Sequence, residues 1–476
     1  MKYSTLLAVW VSFVLSPPIV PAQPFLFGAD LSYVNEMEDC GVVYREEGQP
    51  KDPYQIFADH GCNMVRLRLW HTPSWYDNLN TGQHYSDLAD VRHSIQRAKA
   101  AGMQVLLDFH LSDTWADPSR QLAPAAWLDV VDNLPILQDS LYHYVYNTLM
   151  ELDEEGLLPE MVQIGNETNR GILLSPEVNA SGWVLDWERN SLLFNTAIQA
   201  VRDVESAAGA EIKIAIHIAG PSNASWYFDQ FIQHGVTDFD VMGLSYYWPW
   251  HKPTTIAQTG QIIAELRAAH PGYEVMIFET GYIWTQNYND SAANLFNDPN
   301  PGYLPVSPET QKQWLVDLSQ AVIDNGGSGV LYWEPAWVSS SCYTPWGQGS
   351  HYENATFFDF QNNLLNNGGI GWTEYPYLFP TASREAEASE PINIFAAPAY
   401  DSIIIQCEAS NLSGELTIEL FNSGGGGVAT QTIQLSGNPT WDYRMPLPPL
   451  PPGIYFAVAS QNGQIVGGGS VWLGRR

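Results

Sequence analysis

The chain has little positive charge, few cysteines and, beyond its N-terminus, no long apolar run. Its 476 residues include 20 Lys and Arg against 52 Asp and Glu, a formal net charge of -32. Such a chain repels phosphate backbones and anionic lipid surfaces, so we expect no nucleic-acid partner. No later stretch approaches the roughly 20 apolar residues of a membrane span, so the protein is not expected to be membrane-embedded. Four cysteines in so long a chain do not form a disulfide framework.

The first 22 residues have the three-part pattern of a cleavable export signal. Lys2 precedes an apolar run from Thr5 to Leu15, and Val20-Pro21-Ala22 supplies a small-residue cleavage site before Gln23. The pattern predicts a signal peptide over residues 1–22 and a mature, exported chain that starts near Gln23.

Short apolar, β-branched segments then alternate with stretches of helical periodicity, as in Asp90 to Ala101. Parallel strands joined by crossover helices have this signature. Eight such units predict a closed (β/α)8 TIM barrel over residues 23–380. The predicted strands are Phe25 to Asp30, Met64 to Trp70, Gln104 to His110, Met161 to Glu167, Lys213 to Ile218, Val241 to Tyr247, Val275 to Tyr282 and Gly329 to Pro335.

Three cysteines have a place in this barrel. Cys40 and Cys342 follow the first and the eighth strand, whose loops are neighbours in a closed barrel, so we predict a disulfide between them. Cys62 lies at the entry to the second strand and is predicted to be a buried thiol.

The pattern changes near Thr381 to Pro391, where TASREAEASEP has no apolar period and predicts an interdomain linker over residues 381–390. Alternating runs broken by Gly, Asn and Pro turns follow it. They predict a small antiparallel β-sandwich over residues 391–476.

Nearly every predicted barrel strand ends in polar or aromatic residues, and this end of a barrel is where active sites form. Glu167 and Glu279 end the fourth and seventh strands, 112 residues apart in the chain. A retaining glycoside hydrolase needs two carboxyl groups about 5 to 5.5 Å apart. The alternative, a structural ion pair at each loop mouth, is weakened because two such residues occur with Asn166 beside the first. Asn166 can hydrogen-bond a sugar 2-hydroxyl, and Tyr246 can orient the nucleophile.

The finer motifs resemble glycoside hydrolase family 53, the arabinogalactan endo-β-1,4-galactanases of clan A, over about Phe25 to Leu378. The motifs are GAD (28–30), VRLRLW (65–70), DFHLSDTWADP (108–118), GNETN (165–169), GLSYY (243–247), ETGY (279–282) and YWEPAW (332–337). This resemblance implies endo-hydrolysis of β-1,4-galactosidic bonds in galactan, with Glu167 as acid/base and Glu279 as nucleophile.

The resemblance also implies a set of substrate-binding residues. Of Arg66 and Arg68, we expect Arg68, nearer the strand end, to hold the charge of the nucleophile. His110, Trp333 and Tyr246 are implied to line the subsite of the cleaved sugar, and Asp113 and Trp115 belong to the same motifs. For Asp113 a helix cap or a supporting contact is the competing interpretation. Loop residues Trp248, Trp250 and Trp284 suit either stacking on distal sugars or loop packing.

No organic cofactor is needed for hydrolysis. Some bacterial members of the family bind calcium in the long loop after the seventh strand, which makes Asn289 and Asp290 the candidate metal ligands here. This loop has amides where carboxylates are expected, which weakens calcium binding.

Within residues 391–476, the segment Leu450 to Phe456 and the Gly463 to Val466 run resemble sorting domains of type IX secretion. This implies a bacterial protein that is secreted or held at the cell surface. A carbohydrate-binding module is the alternative. The competing functions are another clan A endo-glycanase, active on mannan, xylan or β-glucan, and a catalytically inactive glycan-binding protein. A barrel with its own closed core predicts a monomer.

Overall fold

The computed structural model describes residues 25–182 and 185–379 and, in the C-terminal region, 392–399, 402–408, 413–422, 427–436, 440–450, 453–461 and 464–473. The predicted signal peptide 1–22 and linker 381–390 lie outside these residues. The chain divides into two compact units, Met1–Phe379 and Pro380–Arg476.

The first unit is the predicted barrel of eight parallel strands, and all eight predicted strands are confirmed. Each strand pairs with its neighbours in sequence, and the first closes on the eighth through Leu26 to Ala29 and Gly329 to Tyr332. The strands are β1 Leu26–Asp30, β2 Met64–Leu69, β3 Gln104–Phe109, β4 Met161–Ile164, β5 Lys213–Ala219, β6 Val241–Tyr246, β7 Glu274–Thr280 and β8 Gly329–Tyr332.

Helices connect these strands and begin and end at capping residues. Asp87 caps the helix Leu88–Ala100, and Asp186 caps the helix Trp187–Ala208, which is followed by Gly209 in the left-handed conformation (φ 67°). Ser307 forms a capping box at the start of the helix Pro308–Asp324. The helices are α1 Val34–Asp39, α2 Pro53–Asp59, α3 Leu88–Ala100, α4 Leu134–Glu154, α5 Pro176–Ala180, α6 Trp187–Ala208, α7 Ala224–Gln233, α8 Trp248–His251, α9 Ile256–Ala269 and α10 Pro308–Asp324, with 3-10 turns at Ser74–Asn78, Ala125–Val130, Pro301–Tyr303 and Gly369–Trp372. Among the described residues, no helix is long and apolar enough to span a membrane.

The barrel interior has two layers of opposite chemistry. The lower layer, at the amino ends of the strands, is an apolar cluster that includes Met64, Met161, Met276 and Phe278. The upper layer, toward the carboxyl ends, is polar and buried, and consists of Asp30, Arg66, Arg68, Asp108, Gln163, His217, Ser245 and Glu279. Met64, Arg66 and Arg68 follow one another at intervals of two residues on one strand, so all three side chains face inward. The interior therefore changes from apolar to polar along the length of that strand. The active-site face is therefore set on an apolar plug.

The predicted disulfide is confirmed. Cys40 and Cys342 are bonded, with Cα atoms 5.6 Å apart and a sequence separation of 302. The bond ties the end of α1 to the loop after β8. Cys62 is a free, buried thiol as predicted, and burial raises its pKa to about 12.

The described residues of the second unit are all-β, as predicted. They form the strands β9 Ile392–Ala399, β10 Ser402–Glu408, β11 Ser413–Asn422, β12 Gly427–Ser436, β13 Thr440–Pro446, β14 Gly453–Gln461 and β15 Gln464–Leu473. These strands hydrogen-bond in one continuous order, β12-β11-β14-β15-β9-β10-β13. The expectation of a wholly antiparallel arrangement is wrong at one place, because β9 pairs parallel with β15. Met445 of β13 packs with Leu416 of β11 and Ala457 of β14, so the sheet folds over a small core as in a sandwich.

Candidate active site

A cleft of about 490 Å³ opens at the carboxyl ends of the barrel strands. Glu167 and Glu279 both line it, so the fold brings the two predicted carboxylates together. Aromatic rings form much of its wall, and they are Trp115, Tyr247, Trp250, Trp333, Trp337 and Trp346. Such rings offer flat apolar faces on which sugar rings can stack. The site therefore combines an acidic centre with stacking surfaces.

Glu167 follows β4 through a tight turn. Gly165 has φ 71° and Glu167 itself has φ 45°, a conformation that costs a non-glycine residue about 1–3 kcal/mol. A side chain at Gly165 would collide with Thr168 and Ile172, each within 3 Å of an added Cβ. Burial and then the charge of Glu279 raise the pKa of Glu167, so this carboxyl keeps its proton where an ordinary glutamate has lost it.

Glu279 reaches the cleft because of a β-bulge in β7. Leu244 of β6 pairs with Ile277 and the next residue, Ser245, pairs with Glu279, so Phe278 is the extra residue. Phe278 lies in the lower apolar layer, next to Gly243, whose missing side chain leaves room for the ring. As a result, two consecutive side chains face inward, and the bulge directs the carboxylate toward the cleft.

Arg66 holds the charge of Glu279, and the expectation that Arg68 does so is wrong. Nη1 of Arg66 lies 2.9 Å from Oε1 of Glu279. Arg66 also pairs with Asp30 at 2.7 Å and with Asp108 at 2.8 Å, and is itself only 1% exposed. Burial raises the pKa of Glu279, and the guanidinium opposes that rise by stabilising the carboxylate.

Arg68 lies two residues closer to the carboxyl end of β2, where its Nη1 forms an ion pair with Oε1 of Glu334 at 3.0 Å. Its guanidinium is packed over the rings of Trp115, Trp70 and Tyr33 at 4.2, 4.4 and 4.8 Å. Arg68 therefore supports the aromatic wall of the cleft and does not contact the nucleophile candidate. We expected Arg68 because it is nearer to the strand end, but Glu279 is contacted by Arg66, which lies deeper in the barrel.

Tyr247, and not Tyr246, contacts Glu279. The Tyr247 hydroxyl donates to Oε2 at 3.2 Å. Tyr246 faces the helix layer, where its hydroxyl donates to the carbonyl of Thr254 and its ring stacks on Trp314. The expectation that Tyr246 lines the site is therefore wrong. Alternation along β6 is the signal that could have found this, since Ser245 faces inward and Tyr246 must face outward.

The remaining predicted residues separate into two groups. Trp115, Trp333 and Asn166 line the cleft, as expected. His110 is buried beneath it, where Nδ1 lies 2.7 Å from Asp108 and the ring meets Trp115 edge-on. Asp113 accepts hydrogen bonds from the backbone amides of residues 72 and 125, so it braces two loops and does not line the cleft. For Asp113 the competing interpretation, a supporting contact, fits the geometry.

Residues of the long loop after β7, the candidate metal ligands among them, are hydrogen-bonded within the protein. The carboxylate of Asp290 accepts from the backbone amides of Ala292 and Ser350, both at 2.8 Å. Asn289 donates its own backbone amide to Glu353, whose other oxygen accepts from Ser339. Within the described ranges, no group of three or more His, Cys, Asp or Glu side chains is arranged to hold a metal ion. The carboxylates of Asp290 and Glu353 thus brace this loop through hydrogen bonds.

The tryptophans of these loops have different roles. Trp250 is half exposed and lines the cleft. Trp284 packs against Phe360 and donates to the carbonyl of Glu353, so loop packing is the interpretation that fits it.

Comparison with known proteins agrees with this geometry. The model of glycosyl hydrolase family 53 matches residues 26–367. An arabinogalactan endo-beta-1,4-galactanase of Cellvibrio japonicus is 46% identical over 362 residues, which cover 75% of this chain and 93% of that protein. An endo-beta-1,4-galactanase of Bacillus subtilis is 34% identical, covering 66% of this chain and 71% of that protein.

Solved structures give the same result. The family 53 catalytic domain of Ignisphaera aggregans superimposes with a TM-score of 0.65 at 32% identity, covering 75% of this chain and 98% of that domain. A structure from a study of two fungal beta-1,4-galactanases gives a TM-score of 0.60 at 28% identity, covering 73% and 98%. The chain therefore belongs to glycosyl hydrolase family 53.

Proposed function

We propose that this protein is an arabinogalactan endo-β-1,4-galactanase that hydrolyses its substrate with retention, with Glu279 as nucleophile and Glu167 as acid/base. The observation that carries the proposal is the different surroundings of two carboxyls in one cleft. Arg66 and Tyr247 surround Glu279, whereas Ser245 lies against Glu167. Environments that separate two carboxyls in this way assign the acid and the nucleophile.

In the first step Glu279 attacks the anomeric carbon. The charge of Arg66 and the hydroxyl of Tyr247 stabilise its ionised form, which is the nucleophilic one. As the bond from the anomeric carbon to the glycosidic oxygen breaks, Glu167 gives its proton to that oxygen. The first half of the chain leaves, and the other half remains as an ester on Glu279.

In the second step the roles of Glu167 reverse. The carboxylate takes a proton from water as the water oxygen attacks the anomeric carbon and the ester bond to Glu279 breaks. Glu167 regains its proton and Glu279 its charge. No organic cofactor is required, because acid, base and nucleophile are all side chains, and we propose that the barrel acts as a monomer.

The open cleft suits an internal stretch of polysaccharide. The ring centroids of Trp115 and Trp333 are 5.8 Å apart, and Trp250 and Trp346, which line the same cleft, are half exposed. Sugar rings on both sides of the cut bond can stack on such a row. Galactan is favoured over mannan, xylan or β-glucan by the 46% identity to a protein named as a galactanase.

Hydrolysis assays on a polysaccharide panel test this proposal. Wild-type protein should release short oligosaccharides from linear β-1,4-galactan, and Glu167→Ala and Glu279→Ala should not. Glu274→Gln is the matched control, because Glu274 begins the strand that contains Glu279 and pairs with Lys213 at the opposite face of the barrel. Cleavage of mannan, xylan or β-glucan in place of galactan would overturn the substrate assignment.

For the C-terminal unit we propose delivery rather than sugar binding, in a bacterial protein that is exported to the medium or the cell surface. The predicted signal peptide 1–22, the linker 381–390 and the all-β chain after it support this role. Deleting residues 381–476 should leave the enzyme inside the envelope with its galactanase activity intact. Normal export together with lost retention on insoluble galactan would favour a carbohydrate-binding module instead.

A further inference from the structure

A row of hydrogen-bonding groups leads from Glu167 into the barrel interior. The hydroxyl oxygen of Ser245 lies 2.6 Å from Oε1 of Glu167, and Nε2 of His217 lies 2.9 Å from the same hydroxyl. On the other side of the ring, Nδ1 of His217 lies 2.8 Å from Oδ1 of Asn166. Ser245 and His217 are both 0% exposed. A buried hydroxyl and a buried imidazole thus connect Glu167 to an amide.

The orientation of that amide is set by its other partners. Nδ2 of Asn166 donates to the carbonyl of Ala116 at 2.8 Å, and Oδ1 accepts from Nη2 of Arg66 at 2.7 Å. A guanidinium can only donate, so the Asn166 atom that faces His217 is an oxygen. An oxygen acceptor at 2.8 Å requires the hydrogen of His217 to be on Nδ1.

The other polar neighbour of Nδ1 is less suited to fix the opposite tautomer. Nε2 of Gln163 lies 3.2 Å from Nδ1. It also lies 2.9 Å from both Oδ1 of Asp108 and the carbonyl of Gly165, which can take its two hydrogens. The geometry therefore favours Nδ1–H and leaves Nε2 as an acceptor.

His217 remains neutral in these surroundings. Burial and then the charges of Arg66 and His110 lower its pKa well below the usual value, and the Phe278 ring at 5.6 Å adds no counter-charge. Around Glu167 the charged groups are Glu279, Asp117 and Arg66. With His217 neutral and Nε2 bare, the Ser245 hydroxyl donates to Nε2, and its oxygen can only accept from Glu167.

We propose that Ser245 and His217 are positioning residues that hold Glu167 in its protonated, acid form between turnovers. This inference rests on the proposed role of Glu167 as the acid/base. If Glu167 ionises, Ser245 must turn to donate to it, and Nε2 of His217 is left as a buried acceptor without a donor. The free energy of leaving this acceptor unpaired opposes the ionisation of Glu167. It is large enough to move the pH at which Glu167 ionises upward by about one pH unit or more. The same penalty makes ionised Glu167 a stronger base toward water in the second step.

The tautomer can be measured directly on the wild-type protein labelled with 15N-histidine. The inference predicts a protonated Nδ1 and an unprotonated Nε2 for His217, with the signals assigned by their loss in a His217→Phe variant. A protonated Nε2 would overturn the inference, because Ser245 would then donate to Glu167. This readout does not depend on whether the variant is active.

The pH dependence of kcat/KM on a galactobioside with a poor aryl leaving group gives the functional test. In His217→Phe the Ser245 hydroxyl is free to donate to Glu167, so the alkaline limb should move down by about one pH unit. His270→Phe is the matched control, since His270 pairs with Asp229 outside the barrel and its loss should not move the limb. An alkaline limb that stays in place or moves up in His217→Phe would contradict the inference.

Glu167→Gln separates failure of this inference from failure of the proposed function. With an activated leaving group that needs no acid, this variant should retain its first step and lose the alkaline limb. If the limb persists in Glu167→Gln, Glu167 is not the acid and the proposed function itself falls. If Glu167→Gln loses the limb while His217→Phe keeps it at the wild-type pH, only the chain through Ser245 and His217 is disproved.

Discussion

The two layers of the barrel interior come from the same strands but do different work. On β2, Met64 lies in the apolar lower layer, and Arg66, two residues on, lies among carboxylates in the upper layer. The lower layer stabilises the fold through burial, which is insensitive to the identity of the substrate. The upper layer stores buried charge, which stabilises the fold weakly but fixes the protonation of the reacting groups. Along a strand, a residue that stabilises the fold and a residue that supports the chemistry are therefore only one or two positions apart.

The largest effect is expected from Arg66→Met. This variant leaves Asp30, Asp108 and Glu279 without their cation, so the free energy of unfolding should fall by about 3–5 kcal/mol. The kcat on galactan should fall on the order of 10²- to 10³-fold, because the nucleophile loses its stabilising charge. Urea denaturation and initial rates measure the two quantities.

Arg68→Met is the matched variant, since Arg68 is on the same strand and equally buried but pairs with Glu334. It should destabilise the fold comparably while lowering kcat less than Arg66→Met does. Equal losses of kcat in the two variants would contradict the assignment of Arg66 to the nucleophile.

Met64→Ala tests the lower layer by itself. The cavity left in the apolar cluster should lower the free energy of unfolding by about 2–5 kcal/mol. Because the upper layer keeps its hydrogen bonds, kcat of the folded protein should stay within about twofold of wild type. A tenfold loss of kcat at full folding would mean that the layers are not independent.

A smaller effect is expected from Tyr247→Phe, which removes one hydrogen bond to Glu279. A hydrogen bond to a charged group supports a loss of about tenfold in kcat/KM. Tyr246→Phe, which affects the neighbouring residue on the outer side of β6, should leave kcat/KM near wild type. The reverse order would restore the original prediction for Tyr246.

The smallest effect is expected from removal of metal ions. The carboxylates near Asn289 and Asp290 already accept hydrogen bonds, so a chelator should not change the melting temperature. Asp290→Ala should lower stability by about 1–3 kcal/mol through the lost hydrogen bonds. A drop in melting temperature with chelator that calcium reverses would contradict this account of the loop.

Much of the fold could be predicted because its causes are local. Short apolar runs mark all eight strands, and neighbouring loops of the first and eighth strands bring Cys40 to Cys342. The two carboxylates could be found because each ends such a run. These features depend on the alternation of residues and on their order in the chain, and the sequence shows both directly.

The rest depends on depth within the barrel. Arg66 and Arg68 have the same parity, and the pattern of the sequence does not show that Glu279 lies at the height of Arg66. The bulge at Phe278 shifts the inward-facing side by one residue, so parity alone would turn Glu279 outward. Ser245 lies within the GLSYY motif without a predicted role, and His217 lies inside an apolar strand that contains none of the quoted motifs.

The central claim is that Glu279 forms the covalent bond to the sugar. The protein is incubated with a 2-deoxy-2-fluoro-β-galactobioside that has an activated leaving group. The fluorine slows both formation and hydrolysis of the glycosyl ester, and the leaving group keeps formation fast enough for the ester to accumulate. Mass spectrometry of the digested protein should then find one galactobiosyl adduct on the peptide that contains Glu279. An adduct on a different carboxylate, or hydrolysis of the reagent with no adduct at any time, would contradict the account.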